Sequence, residues 1–203
     1  MAPGAHHFLA ADLTDFERYS EYFNIIKKHC PSGLSGMVHY SGHRITKPAR
    51  VQRVTDLRTL FDIHVIAFIE LVKYVTKRQI ISQKGCSIVG VSSVASIRGA
   101  KAMSGYAAAK GAINSLIPSL ALEYADKNVR INSVLPGHVN TEMNKRLAES
   151  LSKRALQSIV HAHPLGLGKP EDVSALVIFL LSEQSRWITG ANIPVDGGFL
   201  IHE

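Results

Sequence analysis

The part of the sequence that decides the fold is the apolar run Ser87-Ile88-Val89-Gly90-Val91, which Ser92-Ser93 follows directly. After it come an alanine-rich segment over residues 106–124 and a second apolar run over residues 129–135. Apolar runs this short are typical of buried strands, and the longer segment between them is typical of a helix. Strand, helix and strand in this order predict two parallel strands joined by a crossover helix.

The same alternation continues towards both ends of the chain. The sequence predicts further strands over residues 8–11, 37–40 and 193–195, and further helices beginning at Asp15 and over residues 55–79, 142–160 and 170–181. No internal repeat, linker or low-complexity tract interrupts this order. The prediction is one α/β domain over residues 1–203, a three-layer structure in which helices cover both faces of a parallel sheet.

Length and composition exclude several classes of protein. The 203 residues are 46% hydrophobic and 19% charged, which suits one globular core and not an intrinsically disordered chain. No apolar run approaches the roughly 20 residues of a membrane-spanning helix, and the first residues do not resemble a secretory signal. The two cysteines, Cys30 and Cys86, are too few for a disulfide scaffold. A cytoplasmic protein without a membrane partner is therefore expected.

The net charge of +7 raises the question of nucleic-acid binding. The basic residues are dispersed, no aromatic-interleaved basic block occurs, and no finger or helix-turn-helix signature is present. The ten histidines are scattered as well, and neither His161-Ala162-His163 nor the pair His39 and His43 has partners at metal-site spacing. We therefore expect no nucleic-acid partner and no metal.

Short segments with polar or glycine residues follow the predicted strands. They are Asp12-Leu13, Ser41-Gly42, Ser92-Ser93 and Pro136-Gly137. The carboxyl ends of parallel strands meet at one edge of a sheet, and ligands bind beyond that edge in open sheets. We therefore expect these segments to carry the function.

Tyr106 and Lys110 lie four residues apart in the predicted helix, so their side chains share one face. A nearby ammonium group lowers the pKa of a phenol from its usual value of about 10 and makes it a better acid or base at neutral pH. Ser93, after the preceding strand, could hold a carbonyl or alkoxide oxygen beside the Tyr106 hydroxyl. On spacing alone, a solvated lysine beside a half-buried tyrosine is the open alternative.

The chain from Asp12 to Phe199 strongly resembles the short-chain dehydrogenase/reductase family, in the branch that includes 3-oxoacyl-carrier-protein reductases. The resemblance rests on Ser93, Tyr106 and Lys110 and on residues 132–141 and 195–199. It implies a Rossmann-like fold and an NAD(P)-dependent oxidoreductase. The implied substrate is a small-molecule ketone or secondary alcohol.

The resemblance also implies roles for the matching residues. Ser93 would position the reacting oxygen, Tyr106 would act as the general acid/base, and Lys110 would hold the nicotinamide ribose and lower the pKa of Tyr106. Besides Tyr106 and Lys110, the family's cofactor contacts are matched by Asp12, Leu13, Ser41, Gly42, Pro136, Gly137, Val139 and Thr141.

Two positions in the expected site depart from the family pattern. The family's Asn-Asn-Ala-Gly segment is matched by His39-Tyr40-Ser41-Gly42, in which only the glycine is kept. The family's fourth catalytic residue, an asparagine that supports a water-linked proton relay, is matched by His64. Histidine hydrogen-bonds and titrates near neutral pH, so it could take over this role. Relaxed catalysis is an equally open alternative.

The largest departure concerns the start of the fold. The family opens with a strand, a Gly-rich turn and a helix that cradle the cofactor pyrophosphate, followed by a second strand, and no such glycine motif occurs here. The chain therefore looks truncated at the N-terminus, with the first two strands missing. We expect the strand over residues 8–11 either to pair with residues 37–40 or to leave a gap that another chain fills.

Three interpretations of function are open at this point. The first is the oxidoreductase, for which the net positive charge slightly favours NADP over NAD. The second is a non-catalytic scaffold, and the third is a truncated form of a full-length reductase that binds cofactor poorly or not at all. The predicted helices over residues 55–79 and 106–124 match the pair through which family members associate, so a homodimer or homotetramer is expected.

Overall fold

Four β-strands and six α-helices make up the part of the chain that the computed structural model describes, residues 6–141 and 152–202. The strands are β1 (Gly36–His39), β2 (Cys86–Val91), β3 (Val129–Pro136) and β4 (Asn192–Val195). The helices are α1 (Tyr19–His29), α2 (Val54–Phe61), α3 (Ala67–Val75), α4 (Ser104–Tyr124), α5 (Lys153–His161) and α6 (Pro170–Leu181).

The strands form one parallel sheet in the order β1-β2-β3-β4. In β2, Ile88 pairs with Met37 on one side and with Ile131 on the other. All residues of β2 are buried, because β2 has a strand on each side and helices on both faces. This burial explains why β2 is a continuous run of apolar and small residues.

Successive side chains of a strand point to opposite faces of the sheet, and this alternation divides the core into two layers. Ile88 and Ile131 face one layer, where they pack with α1, α3 and α4. Val89 and Val134 face the other layer, where they pack with α6. The result is the predicted arrangement of helices, sheet and helices, a Rossmann-like three-layer fold.

The prediction of a strand over residues 8–11 is wrong. The segment is irregular, and Phe8 is 95% exposed. A strand forms when a neighbour takes up its backbone hydrogen bonds. Within the described residues, β1 is the edge of the sheet and residues 8–11 have no strand beside them. The expected pairing with residues 37–40 therefore does not occur, whereas the alternative that another chain fills the gap stays a prediction.

The helix predicted over residues 55–79 is present, but it is interrupted. A π-helical turn, Asp62–Ile66, joins α2 to α3, and α3 ends at Val75. A π-helical turn adds a residue to the helix and is frequent at functional sites. Here the turn contains His64, which is 2% exposed.

Two further helices differ in extent from the sequence-based expectation. α4 begins at Ser104, two residues before the predicted start. Of the helix predicted over residues 142–160, α5 accounts for the later part, and residues 142–151 lie outside the described residues. No helix in the described part of the chain combines the length and the apolar character needed to cross a bilayer.

We expect Phe68→Ala to destabilise the fold by about 3 to 5 kcal/mol, the usual cost of truncating a buried phenylalanine. Phe68 is fully buried, and its ring lies against Gly90 in β2. Urea unfolding measures the change in free energy. The control is Leu165→Ala, because Leu165 is 88% exposed and its truncation should cost about 0.5 kcal/mol or less. Equal losses in the two variants would contradict the place of Phe68 in the core.

Candidate active site

A cavity of about 810 Å³ opens at the carboxyl ends of β1, β2 and β3. The predicted site residues that line it are Gly42, His64, Ser93, Tyr106, Lys110, Pro136, Gly137, Val139 and Thr141. The other predicted residues, Asp12, Leu13 and Ser41, line a second cavity of about 600 Å³. Ser41 and Gly42 are neighbours in the chain, so the loop after β1 borders both cavities.

Ser92 and Ser93, which follow β2, have different surroundings. Ser92 is buried, and its hydroxyl donates a hydrogen bond of 2.9 Å to the backbone carbonyl of Lys110, which fastens the end of β2 to α4. Ser93 lines the cavity, and its Oγ accepts a hydrogen bond of 3.2 Å from the backbone N–H of Ala95. The Ser93 hydroxyl therefore keeps its proton available for an oxygen in the cavity.

Tyr106 lies in the first turn of α4 and lines the cavity. Burial of its ring raises its pKa above the usual value, and hydrogen bonding with Ser93 and the charge of Arg44 lower the pKa by smaller amounts. The net direction is upward, so Tyr106 is protonated at neutral pH. A protonated tyrosine beside a second hydroxyl donor can give a proton to a carbonyl oxygen.

Lys110 follows one turn later and is 5% exposed. Its Nζ donates a hydrogen bond of 2.6 Å to the backbone carbonyl of Val91, and burial lowers its pKa to about 7. Burial dominates the pKa of Tyr106, and the groups that lower it here are Ser93 and Arg44, so the role of Lys110 in lowering that pKa stays a prediction. The lysine Nζ is turned towards the end of β2 and lies 5.7 Å from the centroid of the tyrosine ring.

His64 packs directly against the loop after β1. A β-carbon at Gly42 would lie 1.9 Å from Cε1 of His64, which gives a physical reason for glycine there. The Nε2 of His64 donates a hydrogen bond of 2.8 Å to the carbonyl of His43, since a carbonyl only accepts. Its Nδ1 is then an acceptor with no partner among the described residues. Burial, followed by the charge of Lys110, lowers the pKa of His64 to about 4, so the ring is neutral.

A second buried histidine, His39 at the end of β1, has no role in the sequence-based prediction. Its Nε2 donates a hydrogen bond of 3.1 Å to the carbonyl of Ile63. Burial, followed by the charge of Lys110, lowers the pKa of His39 to about 4. Two neutral histidines therefore lie near Lys110. The feature of the sequence that could have pointed to these two histidines is that both stand where the family pattern has an asparagine.

The loop after β3 contains the predicted cofactor contacts Pro136, Gly137, Val139 and Thr141. Backbone hydrogen bonds hold this loop: Gly137 donates to Val195 at 3.0 Å, and Asn140 donates to Gly168 at 2.8 Å. A β-carbon at Gly137 would lie 2.8 Å from Cα of Asp196, so the backbones approach as closely as glycine permits. The loop therefore forms a well-supported wall of the cavity.

His163 also supports this loop, although no sequence motif indicates it. Its Nε2 accepts a hydrogen bond of 3.1 Å from the backbone N–H of His138, and its Nδ1 donates one of 2.7 Å to the carbonyl of Ile159. Its ring stacks on Phe199, with 4.8 Å between the ring centroids. These two hydrogen bonds use both ring nitrogens of His163 and join the loop after β3 to α5.

Arg44 is a further cavity residue that the sequence pattern does not single out. It lies two residues after Gly42, on the loop after β1. Its charge lowers the pKa of Tyr106, although burial raises that pKa by more. The pKa of His138 is lowered most by burial, next by the charge of His163 and then by the charge of Arg44. Arg44 therefore acts on groups from two walls of the cavity.

The second cavity contains a carboxylate with a fixed position. Asp12 accepts hydrogen bonds from the backbone N–H and the hydroxyl of Thr14 at 2.8 and 2.7 Å, and these two bonds lower its pKa. Leu13 provides an apolar surface in the same cavity, and Ser41 a small side chain. A carboxylate acceptor beside an apolar residue can bind a flat ring that carries amino donors.

Known proteins share the sequence features of this chain. The family model described as enoyl-(acyl carrier protein) reductase matches residues 1–200. The 3-oxoacyl-(acyl-carrier-protein) reductase FabG of Thermotoga maritima is 41% identical over 122 residues, which are 60% of this chain and 48% of that protein. The matched stretch thus spans about half the length of this curated relative.

Two solved structures share the fold. A short chain dehydrogenase family protein from Francisella tularensis subsp. tularensis SCHU S4 has a TM-score of 0.85 and 29% identity, over 96% of this chain and 81% of that chain. ElxO with bound NADP has a TM-score of 0.86 and 29% identity, over 96% of this chain and 78% of that chain. With the family model matching nearly the whole sequence, the chain belongs to the short-chain dehydrogenase/reductase family.

Proposed function

We propose that this chain is an NAD(P)-dependent oxidoreductase that reduces a ketone or oxidises a secondary alcohol, with Tyr106 as the general acid/base. One observation carries the proposal: Ser93, Tyr106 and Lys110 line the same cavity at the carboxyl ends of parallel strands. The names of a relative, a 3-oxoacyl reductase, and of a structural neighbour with bound NADP support the same class of reaction.

Proton transfer is the task of Tyr106. Its raised pKa keeps the hydroxyl protonated at neutral pH, so the tyrosine can give a proton to a carbonyl oxygen bound in the cavity. Ser93 donates a second hydrogen bond to that oxygen and holds it beside Tyr106. Donors in these positions stabilise the negative charge that develops on the oxygen during reduction. The raised pKa therefore favours the direction of reduction.

The cavity residues fit the nicotinamide half of an NAD(P) cofactor. An ammonium group has three donors, and Lys110 uses one for the Val91 carbonyl, which leaves the others for the hydroxyls of a ribose. Asp12 and Leu13 in the second cavity would hold the adenine end. When bound, such a cofactor supplies the hydride for a carbonyl carbon or accepts it from an alcohol.

The pyrophosphate of such a cofactor has no matching turn in residues 6–141 and 152–202. No Gly-x-Gly-x-x-Gly or related segment follows a strand there, and such a turn usually provides the backbone donors for the phosphates. This observation favours the second candidate, a non-catalytic scaffold or a truncated form of a longer reductase with impaired cofactor binding.

Fluorescence titration with NADPH, and separately with NADH, tests the proposal. We expect one coenzyme to bind in the range of about 1 μM to 1 mM that is usual for enzyme substrates. Tyr106→Phe should bind it equally well, but turnover of an acetoacetyl thioester should fall by about 100-fold or more, because the proton donor is lost.

Tyr124→Phe is the matched control, because Tyr124 ends the same helix and does not line the cavity. Unchanged turnover in Tyr106→Phe would contradict the role of Tyr106. Absence of binding up to millimolar coenzyme would favour the scaffold or the truncated form.

We also propose that His64 replaces the family's asparagine as a positioning residue for proton transfer. Its ring meets Tyr106 edge to face, with 5.7 Å between the centroids. A neutral imidazole with one unpartnered nitrogen can accept a hydrogen bond from a water molecule. Because its pKa is about 4, His64 does not take the proton of Tyr106 at neutral pH.

The low pKa of His64 predicts that stability depends on pH. Free histidine has a pKa of about 6.5, whereas His64 in the folded chain has a pKa of about 4. Between about pH 6.5 and pH 4, this side chain therefore binds a proton in the unfolded chain but not in the folded chain. The free energy of unfolding should therefore fall as the pH drops through this window. In His64→Asn, the fall in the free energy of unfolding at about pH 4.5 should be smaller by about 1 to 2 kcal/mol, as measured by urea unfolding. The part of the fall that comes from His39, whose pKa is also lowered, should remain.

Turnover of His64 variants completes this test. Asparagine retains a hydrogen-bonding side chain, so His64→Asn should stay close to the parent chain. Leucine cannot hydrogen-bond, so His64→Leu should lose about 100-fold. Equal turnover in both variants would contradict the positioning role, and an unchanged pH dependence in His64→Asn would contradict the low pKa.

We further propose that the chain forms a homodimer or homotetramer through α4 and the α2–α3 segment. Ala108 is exposed on α4, and a β-carbon at Gly111 would meet only the Ser96 carbonyl, at 3.9 Å. Val54 on α2 is 62% exposed and Leu122 on α4 is 83% exposed. Small residues and exposed apolar side chains suit close packing of helices between chains.

Size-exclusion chromatography with light scattering measures the association. We expect a mass of two or four times 22.2 kDa. Ala108→Arg should shift the mass towards the monomer, because a long charged side chain blocks close helix packing. Gln83→Arg, in the exposed loop before β2, is the control and should change nothing. A single species of 22.2 kDa for the parent chain would refute the assembly.

A further inference from the structure

Basic side chains outnumber acidic ones around the cavity of about 810 Å³. Among the described residues that line it are Arg44, Lys110 and four histidines, but no aspartate or glutamate. Lys110 lies buried at the end of β2 with its Nζ bonded to the Val91 carbonyl. Cations lining a cavity with low-dielectric walls attract an anion more strongly than they would in open water.

Arg44 is the cation of this cavity whose guanidinium has no hydrogen-bond or ion-pair partner among residues 6–141 and 152–202. A guanidinium has five N–H donors, and those of Arg44 form no hydrogen bond and no ion pair with the residues that the structure describes. Its field nevertheless reaches Tyr106 and His138, since beyond the larger effects of burial it lowers the pKa of each. Arg44 therefore shares one cavity with Tyr106 and with His138 of the loop after β3.

We propose that Arg44 binds an anionic group of the substrate, and that the substrate is an oxo acid or the corresponding hydroxy acid. The inference rests on the proposed oxidoreductase function, because Ser93 and Tyr106 define the place of the reacting oxygen. A carboxylate accepts two parallel hydrogen bonds from a guanidinium. A neutral ketone of the same size would leave Arg44 unpaired, so the arginine would select for the acid.

Phosphates of a coenzyme are the other anions that could meet an arginine. Arg44 lines the cavity of Tyr106 and His138, whereas Asp12, matched to the adenine end, lines the second cavity. The groups on which Arg44 acts are thus those around the reacting carbonyl. An anionic group of a substrate whose oxygen lies beside Ser93 and Tyr106 is therefore within the same cavity as Arg44, and coenzyme binding by Arg44→Gln tests the phosphates.

The test compares oxo acids with their neutral esters. Pyruvate, acetoacetate and levulinate place the carboxylate at increasing distance from the carbonyl, and each is assayed beside its ethyl ester with NADPH and NADH. We expect at least one acid to be preferred to its ester. Arg44→Gln should lower kcat/KM for that acid by about 10- to 100-fold, the value of a hydrogen bond to a charged group, and lower it for the ester by a smaller factor, because the ester is affected only through the pKa of Tyr106.

Two further variants control for charge and geometry. Arg44→Lys keeps the charge but not the two-point contact, so it should restore part of the preference for the acid. Arg50→Gln removes an exposed arginine outside the cavity and should change neither substrate. Equal losses for acid and ester in Arg44→Gln, or a preference of the parent chain for the esters, would overturn the proposal.

Binding measurements separate this proposal from the proposed function. Calorimetric titration with each acid, without coenzyme, is made on the parent chain and on Arg44→Gln. If no substrate is turned over but an acid binds the parent chain and not the variant, the oxidoreductase assignment fails and the anion site stands. If no acid binds the parent chain, or if Arg44→Gln loses coenzyme binding instead, the substrate-anion proposal is refuted.

Discussion

The hydrogen bond from Nζ of Lys110 to the carbonyl of Val91, 2.6 Å long, is the contact on which the geometry of the site depends. A buried ammonium group must be paired, because leaving it without a partner in a low-dielectric environment is costly. The carbonyl at the end of β2 provides that partner, and the Ser92 hydroxyl returns a second bond to the Lys110 backbone. These two bonds fix α4 against β2, so that Tyr106, one turn earlier, lines the same cavity as Ser93.

The same burial determines the charge of the neighbouring groups. Burial lowers the pKa of Lys110 to about 7, and burial together with the charge of Lys110 lowers the pKa of His39 and His64 to about 4. Burial also raises the pKa of Tyr106. At neutral pH the two histidines and the tyrosine are therefore uncharged. Tyr106 therefore keeps its proton at neutral pH.

Sequence patterns could predict the parts of the site that are local in the chain. Ser93, Tyr106 and Lys110 lie within one strand–helix unit, whose periodicity places them at the end of a strand and on one helix face. Residues 8–11 show the limit of such patterns, because an apolar run becomes a strand only when another strand lies beside it. The π-helical turn at His64 has no periodic signature either, since one extra residue changes the face that the helix presents.

Contacts between distant segments explain what sequence reasoning could not provide. His163 supports the backbone of His138, and the charge of Arg44 lowers the pKa of Tyr106. Neither pair of residues belongs to one sequence motif. The histidines at the family's asparagine positions have a physical reason that emerges only from the fold. An asparagine is neutral at every pH, and His39 and His64 match it because burial and the charge of Lys110 keep both rings neutral. The replacements thus preserve the charge of the site, and a change that relieved the burial of Lys110 would alter the protonation of all three side chains together.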